Sequence, residues 1–208
     1  MDSTQLWTLT DGNAGNRRQA DALAAALTHG PVMDWVLEPQ APWSWCAPRA
    51  LPGASAAFGT SFSHALAQPP RLAIGCGRQG ALATRLLRQR GSTAVQILDP
   101  RIDPRHWDLV IAPEHDGLVG GNVITLVGSL NPVDTLWLAQ ARAAFASFAD
   151  LPRPRTAVLL GGPNDVYRFD DADAGRLATA LAGMTRNGAS LMISPSRRMV
   201  RPARPGPP

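Results

Sequence analysis

The sequence predicts an α/β protein built on a mostly parallel sheet with helices on both faces. Three observations carry that expectation. Eight short apolar runs, rich in β-branched residues, are bounded by turn residues. Segments with helical spacing of apolar residues lie between them. Glycines gather just after the runs, where a parallel sheet offers its ligand crevice.

The strands are expected at Leu6–Thr10, Val32–Leu37, Arg71–Gly75, Ala94–Leu98, Leu109–Ala112 and Val123–Val127, with two more at Thr156–Leu160 and Ser190–Ser194. The first helix follows from Ala20, Leu23, Ala24 and Leu27, which recur at i, i+3, i+4 and i+7. Leu82 and Leu86 mark a second helix. Residues 133–148 and 172–185 read as two more, the latter carrying Leu177, Leu181 and Met184 on one stripe. Strands alternating with helices imply βαβ units and hence parallel pairing.

Residues 38–70 break this rhythm with prolines, small residues and aromatics, and read as a surface connection with a short amphipathic helix. Trp43 and Trp45 alternate there, so one ring is expected to pack and the other to be exposed. Peripheral membrane contact by this segment is a further expectation. In ADLPRPRTAV two prolines forbid helix continuation, which puts a boundary near Leu151–Arg155. The expected parts are residues 1–150, residues 155–198 and an irregular tail at 199–208.

Composition sets the class. Over 208 residues, 45% hydrophobic and 17% charged content is that of a globular protein. No apolar run reaches the roughly 18–20 residues that span a bilayer. The opening MDSTQLWTLTDG lacks a basic and then apolar leader, so the expected location is cytoplasmic. Cys46 and Cys76 have no metal-ligand spacing and read as reduced thiols, and four scattered histidines give no metal site. The net charge is +4 with no lysine at all, and only residues 197–204 form a dense basic cluster. Such a charge speaks to solubility and gives no specific nucleic-acid partner.

Five loops could carry chemistry. In TDGNAGNRRQ, Gly12 and Gly15 permit positive φ, and Asn16 with Gln19 reads as a variant capping box. That account leaves Asp11 unexplained, because a carboxylate at a strand end needs a partner. A sugar hydroxyl or an acceptor proton suits it better than a phosphate. In IGCGRQG, Gly75, Gly77 and Gly80 form G-x-G-x-x-G after a strand, with Asp99 ending the next strand. Three readings stay open: a plain strand-to-helix turn, a phosphate or carboxylate site helped by Arg78, and a dinucleotide site.

The third loop holds Asp99, Arg101 and Asp103, followed by Glu114, His115 and Asp116 after the next strand. A histidine between two carboxylates suits a general base, and a solvated polar loop is the alternative. The fourth, LLGGPNDVYRF, places Gly161 and Gly162 after a strand with Asn164 or Asp165 as helix cap. The fifth, ISPSRR, offers Ser196, Arg197 and Arg198, a set able to grip a diphosphate.

The ordered strings W-T-L-T-D-G-N-A-G-N-x-x-Q, A-I-G-C-G-R-Q-G, V-Q-I-L-D-P-R, D-L-V-I-A-P-E-H-D, L-L-G-G-P-N and S-P-S-R-R resemble the mitochondrial-fission ELM (elongated mitochondria) family. Its bacterial members are glycosyltransferase-like, and some carry the label of nucleoside-diphosphate-sugar epimerase. The resemblance runs from Leu6 to Arg198. It implies a GT-B arrangement of two Rossmann-like halves, the first complete here and the second limited to its opening βαβ unit. It implies that Asp11, Gly12, Asn13, Gly15, Gly75, Gly77, Arg78 and Gln79 line the acceptor side, with Asp11, Glu114 and His115 as catalytic candidates. Gly161, Gly162, Asn164, Ser196, Arg197 and Arg198 would bind a nucleotide-sugar donor, with no cofactor or metal.

Family members continue beyond S-R-R, whereas this chain runs into MVRPARPGPP, so a shortened donor half is expected, that of a transferase or of its inactive remnant. An incomplete half would leave apolar sheet surface uncovered and favour self-association. Two rival functions accompany the transferase reading. A non-catalytic interaction protein needs no donor. An NAD-dependent epimerase is disfavoured, since short-chain epimerases use a Tyr-x-x-x-Lys pair and the lone Tyr167 has no lysine to partner it.

Overall fold

The computed structural model describes residues 6–162 and 169–196. Packing divides the chain into two compact units, Met1–Asp134 and Thr135–Pro208. The division falls ahead of the helix at Thr135–Ala144, which therefore groups with the later strands and not with residues 1–134.

The first unit is a six-stranded sheet, all parallel, of β1 (Leu6–Thr10), β2 (Val32–Val36), β3 (Leu72–Cys76), β4 (Thr93–Ile97), β5 (Leu109–Pro113) and β6 (Val123–Leu126). Their spatial order is β2-β1-β3-β4-β5-β6. The winding direction therefore reverses between β1 and β3. In open parallel sheets that reversal opens a crevice beyond the carboxyl ends of the two strands. This is a Rossmann-like α/β unit.

Alternate residues of each strand feed two cores, as the two-residue period demands. Helix α1 (Ala14–Leu27) covers one face, where Ala20 and Ala24 meet Leu6, Ile74, Cys76, Val95 and Ile97. The opposite face packs Trp7, Leu9 and Ala73 against α3 (Gly59–Ala65) and α4 (Gly77–Arg88). Leu82, Ala83, Leu86 and Leu87 supply the buried stripe of α4. Trp35 meets Phe62 edge-on at 5.5 Å in this core, an orientation favoured by the ring quadrupoles.

The connection 38–70 folds over that second face through the one-turn helix α2 (Trp43–Cys46), a 3₁₀ turn at Ala54–Ala56, and α3. Trp43 packs into the core and Trp45 is 75% exposed, the alternation expected from W-S-W. The strand-helix alternation stops at β4. The links to β5 and β6 contain only 3₁₀ turns, Pro104–His106 and Glu114–Asp116. Asp103 caps the first, and its hydrogen bonds from Arg105 hold the carboxyl down at about 2. Trp107 then covers the sheet in place of a helix, its indole N–H donating to Thr84 Oγ1 at 2.8 Å.

The second unit contains α5 (Thr135–Ala144), a 3₁₀ turn at Ala146–Asp150, β7 (Arg155–Leu160), α6 (Asp171–Arg186) and β8 (Ser190–Pro195). β7 and β8 pair in parallel. α6 is capped by Asp170 and Asp173 in a reciprocal capping box, so its cap lies beyond Asn164 and Asp165. No described residue after Pro113 is buried.

Candidate functional site

The crevice starts where β1 ends. Gly12 adopts φ +76°, a left-handed turn that suits glycine, whereas Gly15 is already helical. α1 begins at Ala14 with Asn13 as N-cap, three residues ahead of the expected capping box. The Asn16 side chain is occupied elsewhere. It donates from Nδ2 to Asp11 Oδ1 at 2.9 Å. The same oxygen accepts the Asn13 backbone N–H at 3.1 Å, and Asp11 Oδ2 accepts Asn13 Nδ2 at 2.7 Å. Both oxygens of Asp11 thus hold its own turn together, which supplies the partner the sequence left unidentified.

β3 and α4 form the other wall. Gly75 lies inside the strand and Gly77 is the first helical residue, so no glycine loop separates them. Each glycine of the motif meets a specific neighbour. A Cβ on Gly80 would stand 2.5 Å from the Leu9 carbonyl oxygen, and one on Gly75 would stand 2.7 Å from that of Gly80. At Gly77 (φ +78°) a Cβ would come within 2.6 Å of Asn16 Nδ2. In a dinucleotide site the middle glycine leaves room for a pyrophosphate. Here the amide of Asn16 takes that room.

Arg78 extends from the first turn of α4 and donates from a terminal guanidinium nitrogen to the Ser44 carbonyl at 3.0 Å. Gln79 follows, with its Oε1 buried and lacking a hydrogen-bond partner. Beneath them, burial pushes the Cys76 thiol up to about 12, with the Asp11 charge adding to the shift. The thiol stays protonated at neutral pH and is no nucleophile.

Two strands along the same edge, β4 and β5 carry the charged turns. Leu98 (φ +74°) and Arg101 (φ +60°) hold left-handed conformations on either side of Asp99 and Pro100. Such strain in non-glycine residues persists where surrounding contacts enforce it. Asp99 accepts the Arg101 backbone N–H at 2.7 Å and pairs with its guanidinium at 3.3 Å. The guanidinium also lies 3.7 Å from Asp116. His115 is 79% exposed, and its Nε2 lies 3.8 Å from Oδ1 of Asp116, itself only 14% exposed. Glu114 is exposed beside them. This cluster combines a solvent-facing imidazole with a mostly buried carboxylate.

In the second unit, the register Leu160↔Pro195 brings Gly161 and Gly162 beside Ser196 at one carboxyl edge. The Ser196 N–H donates to the Leu160 carbonyl at 2.8 Å. Asn164, Arg197 and Arg198 lie outside the described residues. The structure therefore gathers Asp11, Gly12, Asn13, Gly77, Arg78, Glu114 and His115 along one sheet edge of the first unit. It buries Gly75 within the strand, puts Gly15 in α1 and keeps Gly161, Gly162 and Ser196 together in the second. Sequence reasoning missed the roles of Asn16, which reaches back to Asp11, and of Arg101, which links Asp99 to Asp116 in the loop after β5.

Among the described residues no cluster of three or more His, Cys, Asp or Glu is placed to hold a metal ion. The family model described as mitochondrial fission ELM1 matches residues 14–201. No curated protein and no solved structure matches the chain.

Proposed function

The chain belongs to the mitochondrial fission ELM1 family, and from that premise we propose that its first unit is the acceptor side of a GT-B-type sugar transferase. The observation that carries this reading is the exposed His115 backed by Asp116 at the carboxyl end of β5, on the same sheet edge as the β1–β3 crevice and two strands from β3. In the proposed reaction His115 takes the proton of an acceptor hydroxyl. The acceptor oxygen bonds to the anomeric carbon of a nucleotide sugar. The bond from that carbon to the diphosphate breaks, and the nucleoside diphosphate leaves with the electron pair.

The N–H groups around Gly161 and Gly162, with Ser196, Arg197 and Arg198, are assigned to the departing diphosphate. The donor is a substrate and no cofactor is assigned. Asp11 is the alternative base, although three hydrogen bonds already engage its oxygens. Turnover of a panel of nucleotide sugars tests the reading. His115→Ala should abolish transfer and donor hydrolysis with folding intact, and Asp11→Asn should retain some turnover. Loss in Asp11→Asn alone would transfer the base role to Asp11. No turnover with any donor would refute the reading.

A second reading, a non-catalytic interaction protein, is favoured by the second unit. Leu136, Phe145, Phe148, Leu159 and Ile193 are exposed there, and Leu159 is 80% accessible. Apolar surface of this extent favours association, for which a second copy of the chain is the proposed partner. Sedimentation velocity should then show species larger than a monomer, dispersed by Leu159→Asp. A monomer at every concentration, with partners captured only when a nucleotide sugar is added, would count against this second reading.

A further inference from the structure

We propose that the turn carrying Trp45 is a docking surface for an anionic lipid bilayer. Trp45 is the most exposed of the tryptophan and phenylalanine residues described, at 75%. The turn that carries it is fixed by the local structure. Trp43, two residues earlier, is anchored in the core beneath. The turn closes through Trp45 N–H to the Pro42 carbonyl at 3.1 Å and Ala47 N–H to the Trp43 carbonyl at 2.9 Å. Two arginines of α4 fasten it from the side, Arg78 to the Ser44 carbonyl at 3.0 Å and Arg85 to the Pro48 carbonyl at 2.6 Å. These bonds fix the backbone of the turn from which the exposed indole projects.

Charge supplies the second observation. From Pro39 to Leu98 the sequence holds six arginines and no aspartate or glutamate, although the whole chain has 16 acids. Within this acid-free block Arg88 is paired with Asp108 from outside it, while Arg49 and Arg78 stay exposed on and beside the Trp45 turn. An outward indole flanked by guanidinium groups fits the interface of a bilayer with negative headgroups. The ring sits at headgroup depth and the cations meet the phosphates. A nucleic acid would be met instead by a groove of cations with several stacked aromatics, and this turn offers one ring.

The test uses the full chain and vesicles of phosphatidylcholine, with or without phosphatidylglycerol. Co-sedimentation should require phosphatidylglycerol and fall with added salt. Trp45→Ala should weaken it by about tenfold, and Arg49→Gln by about fivefold. Brominated lipid should quench the wild type more than Trp45→Phe, which isolates the ring from the other tryptophans. Binding that is equal with phosphatidylcholine alone, or unchanged in Trp45→Ala, would overturn the proposal. So would an oligonucleotide bound in place of vesicles with the same dependence on Trp45. Sugar transfer is read by a separate assay, so either reading can fail without the other.

Discussion

Replacing Gly80 with alanine tests whether the glycine motif exists for packing. The added Cβ would lie 2.5 Å from the Leu9 carbonyl oxygen and 3.1 Å from Gly75 Cα. Ordinary contact needs about 3.5 Å, so α4 must retreat by about 1 Å from β1 and β3. Both obstructing atoms are backbone and cannot rotate away. A gap of that size forfeits up to about half of each dispersion contact made by Leu82, Ala83, Leu86 and Leu87. Overpacking of this kind costs about 1–3 kcal/mol. Alanine recovers about 1 kcal/mol of helix propensity, leaving a net loss of up to about 2 kcal/mol. With a urea slope of about 2 kcal/mol/M, the unfolding midpoint falls by up to about 1 M. Gly15→Ala is the internal control. Nothing lies within 4 Å of its Cβ and its φ is helical, so it should gain about 0.5 kcal/mol. Tryptophan fluorescence through the urea transition reads both. Equal midpoints for the two variants would refute the packing argument and return the glycines to a ligand.

Trp107→Phe should lose about 2 kcal/mol, because it removes a buried indole donor and leaves Thr84 Oγ1 without it; an unchanged urea midpoint would contradict this. The alkaline limb of stability should belong largely to Cys76. Burial holds its thiol at about 12 when folded, against 9.0 for an unperturbed thiol. The raised value means full stability below pH 9 and a decline as pH rises from 9 toward 12. At pH 10.5 the loss is on the order of 1–2 kcal/mol, with no lysine in the chain to obscure it. Cys76→Ala should flatten that slope in urea midpoints measured from pH 8 to 10.5, and an undiminished slope would disprove the assignment.

The eight strands were legible because β-branched runs bounded by turn residues have few other conformations open to them. Their ends lie within a residue or two of those expected, as at Val32–Val36 and Leu72–Cys76. The helix starts were harder. Asn16 and Gln19 have the spacing of a capping box, but Asp11 draws the Asn16 amide across the turn, and the helix begins earlier. A spacing rule cannot register a bond made by a residue outside its window. The links around β5 read as loops and are loops, but what covers the sheet there was not legible, for a related reason. Trp107 covers the sheet through one bond to Thr84, a contact between residues 23 apart, and no local periodicity announces it. Likewise the positive φ of Leu98 and Arg101 has no glycine to signal it.

The same contacts decide where chemistry can reside on the first unit. Asn16 ties α1 to the Asp11 turn and fills the space beside Gly77, so the starts of α1 and α4 are interlocked. Gly75 and Gly80 press α4 onto β1 and β3 with no atom to spare. Side chains in this part of the crevice are engaged in holding it, and Arg78 is drawn toward Ser44. The turns after β4 and β5 differ: Arg101 and His115 reach solvent while Asp99 and Asp116 remain mostly buried behind them. A proton acceptor must meet substrate. His115 reaches solvent with Asp116 3.8 Å away, whereas Asp11 would have to surrender hydrogen bonds that shape its own turn. The interlocked glycine turns therefore form the rigid wall, and the turns after β4 and β5 carry the solvent-facing side chains to which the proposed reaction is assigned.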